Sequence, residues 1–232
     1  MTAKADTTRR GFFGATVAAG AAAGAMAAGQ ARAEAPSSKP IKIIGIACSP
    51  RPGKTTAAGL KVALEAAKGA GPNVETELIE LAGLNIPIFE PAAPGSADFE
   101  KVAAKLGDPQ VAGIIVGTPV YFSGMTSLAK AFLDQCMAMR KNQFALRNKV
   151  AGVLAVGGVR NGGQELAIQS VQAALMCQEM VVVGDGRPTA HTGATLWNQG
   201  DDISGDEFGL LTARNLGRRV AEVAMKMQGA AG

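Results

Sequence analysis

The stretch Cys48-Ser49-Pro50-Arg51-Pro52-Gly53-Lys54-Thr55-Thr56 places three hydroxyls and two cations within nine positions, directly before a helical pattern. Hydroxyl donors, cationic heads and the free amides of a helix start all favour an anion with several oxygens. Ser49, Arg51, Lys54, Thr55 and Thr56 are therefore candidate ligands of a phosphate carried by a cofactor. The ending Gly53-Lys54-Thr55 also approaches a Walker A loop, which makes a P-loop nucleotide triphosphatase a remote alternative. Against it, Cys48 stands where that loop needs its first glycine, and Gly117-Thr118-Pro119 offers no acidic residue for magnesium.

Two further loops have compositions suited to a ligand. In Gly117-Thr118-Pro119-Val120-Tyr121-Phe122-Ser123-Gly124-Met125, adjacent aromatics lie in a glycine-flanked turn, and they are two of only ten aromatics in the chain. Pro119, Val120, Tyr121, Phe122, Gly124 and Met125 can edge a planar ring while the backbone approaches it closely. Gly157-Gly158-Val159-Arg160-Asn161-Gly162-Gly163 holds four glycines in seven residues. Backbone amides at Gly158, Gly162 and Gly163, with Arg160 as an added donor, can bond ring carbonyls and nitrogens.

Positioning three such loops together requires a particular scaffold. Short β-branched runs alternate with amphipathic segments, as in βαβ units of a parallel sheet. Strands are expected at Ile41 to Ala47, Val74 to Leu81, Val111 to Gly117, Lys149 to Val156 and Met180 to Gly184. Helices are expected at about Thr56 to Gly69, Asp98 to Leu106, Ser127 to Arg140, Gly163 to Cys177 and Asp206 to Met227, the last opened by a capping box with Ser204 and Glu207. Strict alternation predicts an α/β, flavodoxin-like, doubly wound five-stranded sheet of order 2-1-3-4-5. Ligands of such sheets bind beyond the carboxyl ends of the strands, where the three loops lie.

The N-terminus reads differently. Thr8-Arg9-Arg10-Gly11-Phe12-Phe13 precedes a weakly apolar run of Ala and Gly, and Ala31-Arg32-Ala33 supplies a small-x-small cleavage pattern. Residues 1–33 are expected to be a twin-arginine signal peptide and 34–40 a linker, leaving 41–232 as one domain, periplasmic or otherwise exported, with no stable membrane span after cleavage. The leader holds four of the 23 basic and one of the 19 acidic residues, so the remainder carries 19 against 18. That near-neutral balance excludes nucleic-acid binding, which needs a concentrated basic field. Cys48, Cys136 and Cys177 are too scattered for a metal site or a disulfide framework. His191 and Trp197 read as loop and packing residues.

These residues together carry a resemblance. The chain resembles the NADPH-dependent FMN reductases, particularly the branch containing iron-sulfur flavoproteins, over nearly all of its length after the leader. The likeness rests on S-P-R…T, on G-T-P-V-Y-F-S-G-M followed by K-A-F-L-D, on G-G-x-R-x-G-G-Q-E, and on Gly193 to Trp197 through Asp206-Glu207 to Arg219. It implies that Ser49, Arg51, Thr55 and Thr56 hold the FMN phosphate. It further implies that Pro119, Tyr121, Phe122, Gly124 and Met125 line the isoalloxazine, with Gly158, Gly162 and Gly163 on its other edge, and that the protein is a homodimer or homotetramer.

The chain lacks the compact cysteine cluster of the iron-sulfur members, so a flavin-only protein without an iron-sulfur cluster is expected. The resulting expectation is an oxidoreductase moving electrons from a reduced small-molecule donor, NAD(P)H by resemblance, to a small acceptor such as a quinone or flavin. The alternative is an exported electron carrier of the flavodoxin kind. The balanced charge and a third loop without an aromatic favour the enzyme.

Overall fold

The computed structural model describes residues 39–93 and 95–230. The proposed leader and most of the linker lie outside the described residues. The remainder builds a parallel sheet from β1 (Ile41–Ala47), β2 (Val74–Glu80), β3 (Val111–Pro119), β4 (Val150–Gly157), β5 (Val181–Val182) and β6 (Ala194–Trp197). The order is β2-β1-β3-β4-β5, with β6 also paired to β4. This is the flavodoxin-like order 2-1-3-4-5.

Alternation along each strand divides the core between the two faces, because successive side chains of a strand point to opposite sides. Ile44, Ile46, Ile114, Val116 and Val153 pack with Phe99, Phe132, Ile168 and Val171. They lie under α2 (Ala97–Leu106), α3 (Ser127–Gln135), α4 (Met137–Lys141) and α5 (Gln164–Met176). On the opposite face Ile43, Ile115 and Leu154 pack with Leu60, Leu64, Leu216 and Val220, under α1 (Thr55–Lys68) and α6 (Glu207–Ala230). A Cβ on Gly217 of α6 would stand 1.8 Å from the carbonyl oxygen of Ala63 on α1. Only glycine permits that approach of the two helices.

Three local expectations are corrected. The fifth strand is not the single run Met180 to Gly184 but two pieces: Val181 and Val182 pair with Val150 and Ala151, and the ladder resumes with Ala194 to Trp197 against Leu154 to Gly157. The intervening excursion is braced by the buried Asp185, whose carboxylate accepts from the Thr189 hydroxyl and the His191 amide. The helix expected over Ser127 to Arg140 breaks at Cys136, where the Met139 amide bonds back three residues to the Cys136 carbonyl at 3.0 Å and tightens the turn. The cap of α6 is Asp206 rather than Ser204: its carboxylate accepts from Gly209 N–H at 2.9 Å, while the Ser204 amide and hydroxyl turn to Asp202.

Candidate functional site

The loop after β1 is the anion-favouring segment. The Ser49 hydroxyl bonds the Arg51 backbone at 3.1 Å and so shapes the turn from within. Helix α1 then begins after Lys54 with no side-chain cap and no acidic residue in its first turn. By contrast, Ser96 and Thr126 cap α2 and α3. The first-turn amides of α1, beside the buried Thr55 and Thr56, thus lack the acceptor that those helices have. Carboxylates have gathered around the same loop. Glu80 accepts from Gly53 N–H at 2.6 Å, and Asp201 pairs with Arg51 at 2.7 Å and Lys54 at 3.3 Å. Hydrogen bonding from Arg51 and then Lys54 holds the Asp201 carboxyl below its usual value. A segment that attracts two carboxylates has the donor set that a phosphate requires.

The second loop is pinned to the first. Thr126 donates its hydroxyl to the Cys48 carbonyl at 2.7 Å and accepts from Ala129 N–H at 3.1 Å, and its own amide donates to the Thr118 hydroxyl at 3.1 Å. Beyond Pro119, the Val120 amide donates to the Val156 carbonyl at 2.9 Å, and Tyr121 and Gly124 exchange two backbone bonds. Phe122 (φ 50°) and Ser123 (φ 60°) are the central residues of that reversal, both left-handed, the geometry of a type I′ turn. It presents Phe122 fully to solvent and leaves Tyr121 about half exposed, while Gly124 and Met125 are half-buried.

The third loop is held by Gln164. This buried amide accepts from Gly162 N–H at 2.8 Å and donates to the carbonyls of Val159 at 2.7 Å and Leu196 at 3.3 Å. Gly158 faces open space, whereas Gly163 (φ 95°) lies where a Cβ would come within 2.7 Å of the Ser123 Cα. The second and third loops therefore abut. Arg160, offered by the sequence as a ligand donor, spends its guanidinium on the protein: it donates to the Asp206 carboxylate and, at 3.3 Å, to the Thr195 carbonyl. Its head lies 6.0 Å from the Trp197 ring and 5.9 Å from that of Phe208. Burial draws its pKa below the ordinary arginine value, with Glu165 opposing.

The structure adds a fourth loop, 198–205, which sequence reasoning missed. It follows the second half of the split fifth strand and returns to the first loop through Asp201. The turn signal Gln199-Gly200-Asp201-Asp202 was present, but the interrupted strand concealed what it follows. Loop one thus contacts two, two contacts three, three is tied to the start of α6, and the fourth closes the ring on loop one. His191, edge-on to Phe208 at 5.7 Å, stands in the excursion outside this ring.

The sequence profile described as NADPH-dependent FMN reductase matches residues 41–195. The chain belongs to that family. An iron-sulfur flavoprotein of Methanocaldococcus jannaschii is 42% identical over 79% of this chain and 97% of its own length. An NAD(P)H dehydrogenase (quinone) of Bradyrhizobium diazoefficiens is 31% identical over 71% of the chain and 88% of its own length. Among solved structures, RosB with the bound intermediate 8-demethyl-8-formylriboflavin-5'-phosphate aligns with a TM-score of 0.65 at 17% identity, covering 83% of this chain and 82% of that one. A WrbA-like flavodoxin of Agrobacterium tumefaciens aligns with a TM-score of 0.54 at 19% identity, over 80% of this chain and 98% of that one. At those identities the two structures bear on the fold alone.

As an FMN reductase family member, the protein is a flavin-dependent oxidoreductase, and its first loop has the donors that a flavin phosphate needs. An iron-sulfur cluster fits poorly. The sequence has three cysteines, of which Cys48 and Cys136 are buried and Cys177 is exposed. Among the described residues no group of three or more His, Cys, Asp or Glu side chains is placed to hold a metal.

Proposed function

We propose that this protein binds FMN across the carboxyl ends of β1, β3 and β4 and passes electrons from a reduced small-molecule donor, NAD(P)H, to a small acceptor such as a quinone or flavin. The observation that carries the reading is the uncapped start of α1, flanked by Arg51 and Lys54 and already attracting carboxylates. The names of the quinone-reducing relatives support the choice of donor and acceptor.

When bound, the flavin supplies hydride and electron transfer at its N5. The chain's own work is binding and orientation. First-turn amides of α1, the hydroxyls of Ser49, Thr55 and Thr56, and the heads of Arg51 and Lys54 hold the phosphate. The backbone of Pro119 to Met125 and of Gly158 to Gly163 orients the ring and excludes water from its edges. Arg160 acts indirectly, by fixing the third loop on Asp206. No protein acid or base is required, because the ring system carries the redox step.

The same proposal includes export of the folded, loaded protein through the twin-arginine leader. It also includes assembly into a dimer or tetramer, for which the exposed Tyr121, Phe122 and Val159 around the site supply apolar surface. Substituting Arg9 and Arg10 by Lys and fractionating cells tests export, and light scattering of the mature chain tests assembly.

The central test is an anaerobic titration. Reconstituted protein is expected to show a flavin absorbance that bleaches with NADH or NADPH and returns on adding a quinone. Failure to take up FMN would overturn the reading. Rapid exchange with a cytochrome but no turnover of quinone would replace the enzyme with an electron carrier.

A further inference from the structure

Asp201 joins the fourth loop to the first across a separation of 150 residues. Its position is built rather than accidental. Gln199 N–H donates to the Asp202 carbonyl at 2.8 Å and Asp202 N–H returns to the Gln199 carbonyl at 3.3 Å. Gly200 (φ 64°) and Asp201 (φ 67°) fill the two left-handed central places of this tight turn. The Asn198 side chain accepts from Asp201 N–H at 2.8 Å, and Asn198 N–H donates to the Gly157 carbonyl at 2.8 Å. The turn is thus hung from the end of β4. A non-glycine residue held left-handed, with its carboxylate bridging Arg51 and Lys54, is an arrangement the chain maintains at a conformational cost.

We propose that Asp201 is a specificity-determining residue that limits the site to flavins ending in a single phosphate, favouring FMN over the pyrophosphate-linked dinucleotide FAD. This rests on the FMN reading above. Arg51, Gly53 and Lys54 form the exposed outer arc of the first loop, and each is engaged by a carboxylate, Asp201 or Glu80. A monophosphate held by the first-turn amides of α1 would end at this loop, whose two cations pair with Asp201. In a dinucleotide the chain continues outward through a second phosphate. That group would meet two carboxylates and two cations whose charge Asp201 already offsets, so it adds like-charge repulsion with little net attraction in return.

The test measures binding of FMN and FAD by flavin fluorescence to the flavin-free mature chain and to Asp201→Asn and Asp201→Ala. The first variant keeps the side chain's shape and removes its charge; the second also opens the outer arc. Wild-type protein is expected to prefer FMN by about tenfold or more, and both variants to reduce that preference by about fivefold or more, Ala the further of the two. Circular dichroism confirms that each variant is folded. An FMN-to-FAD ratio that stays within about twofold of wild type in both variants overturns the role of Asp201 and leaves FMN binding intact. Equal affinity of the wild type for FMN and FAD does the same. Binding of neither flavin by the wild type overturns the FMN reading and this one with it.

Discussion

The Asp206 carboxylate and the Arg160 guanidinium meet at the start of α6, joining the third loop to the last helix. The same carboxylate takes Trp197 N–H at 2.7 Å and Gly209 N–H at 2.9 Å. One side chain thus terminates β6, caps α6 and anchors the loop after β4. Asp206 is only 2% exposed as a side chain and Arg160 34%, so the two ends of the pair are not equivalent. Asp206→Ala strands a partly buried cation and two amides and is expected to cost about 3 kcal/mol. Arg160→Ala leaves a carboxylate that keeps both amide donors and gains water, and is expected to cost about 1–2 kcal/mol. Denaturant unfolding of both variants checks the order; a larger loss for Arg160→Ala would refute it.

Gly163 and Gly158 lie in one loop but answer to different constraints. A Cβ on Gly163 meets the Ser123 backbone at a left-handed φ, whereas one on Gly158 meets nothing within 4 Å. Gly163→Ala is expected to cost about 1–3 kcal/mol and to separate the second and third loops. Gly158→Ala is expected to leave thermal stability unchanged. Any loss of FMN affinity in Gly158→Ala then reports a close approach of the ligand itself, which a titration with FMN measures.

Phe122 combines a left-handed backbone with a fully exposed ring. The folded monomer gains nothing from that side chain. Phe122→Gly is expected to leave stability unchanged or raise it by up to about 1 kcal/mol, since glycine relieves the φ penalty. FMN affinity or subunit association is expected to fall. A variant unaltered in melting temperature, flavin affinity and mass would show that the ring has no such role.

The thiols divide by burial. Burial first, and Cys136 second, raise Cys48 far above its usual value, and burial followed by Asp134 raises Cys136 to about 12. A raised folded value means that the stability contribution is complete below the unfolded value of 9.0 and is lost as pH climbs toward the folded one. Unfolding free energy is therefore expected to decline above pH 9, by about 1.4 kcal/mol per pH unit for each buried thiol. At neutral pH a thiol-reactive dye is expected to label Cys177 alone in native protein and all three cysteines in denaturant. Rapid native labelling of Cys136 would contradict the packing described above.

Much of this was readable from local pattern. Continuous apolar runs marked β1, β3 and β4 because both faces of those strands are covered, and hydroxyls beside cations marked the first loop because few other roles need them. What escaped the sequence depends on distant partners. Nothing local to Asp201 tells that it faces Arg51, nor does Asp206 advertise that it will outcompete Ser204 as a cap. The two short pieces of the fifth strand share a register only through β4, so neither looks like half of one strand. Arg160 reads as a ligand donor because its loop is glycine-rich; its engagement in the fold is with Asp206, the cap of α6, 46 residues on.

The divided fifth strand also bears on how copies of the protein can meet. A long, flat outer strand is a template for adding another chain's backbone. Here that border is cut into runs of two and four residues, with the Asp185-braced excursion standing between them. It offers no unbroken row of donors and acceptors, so growth into an extended, intermolecular sheet is blocked on that flank. The opposite edge, β2, runs unbroken over seven residues, so the two flanks of the sheet differ in what they offer another chain's backbone.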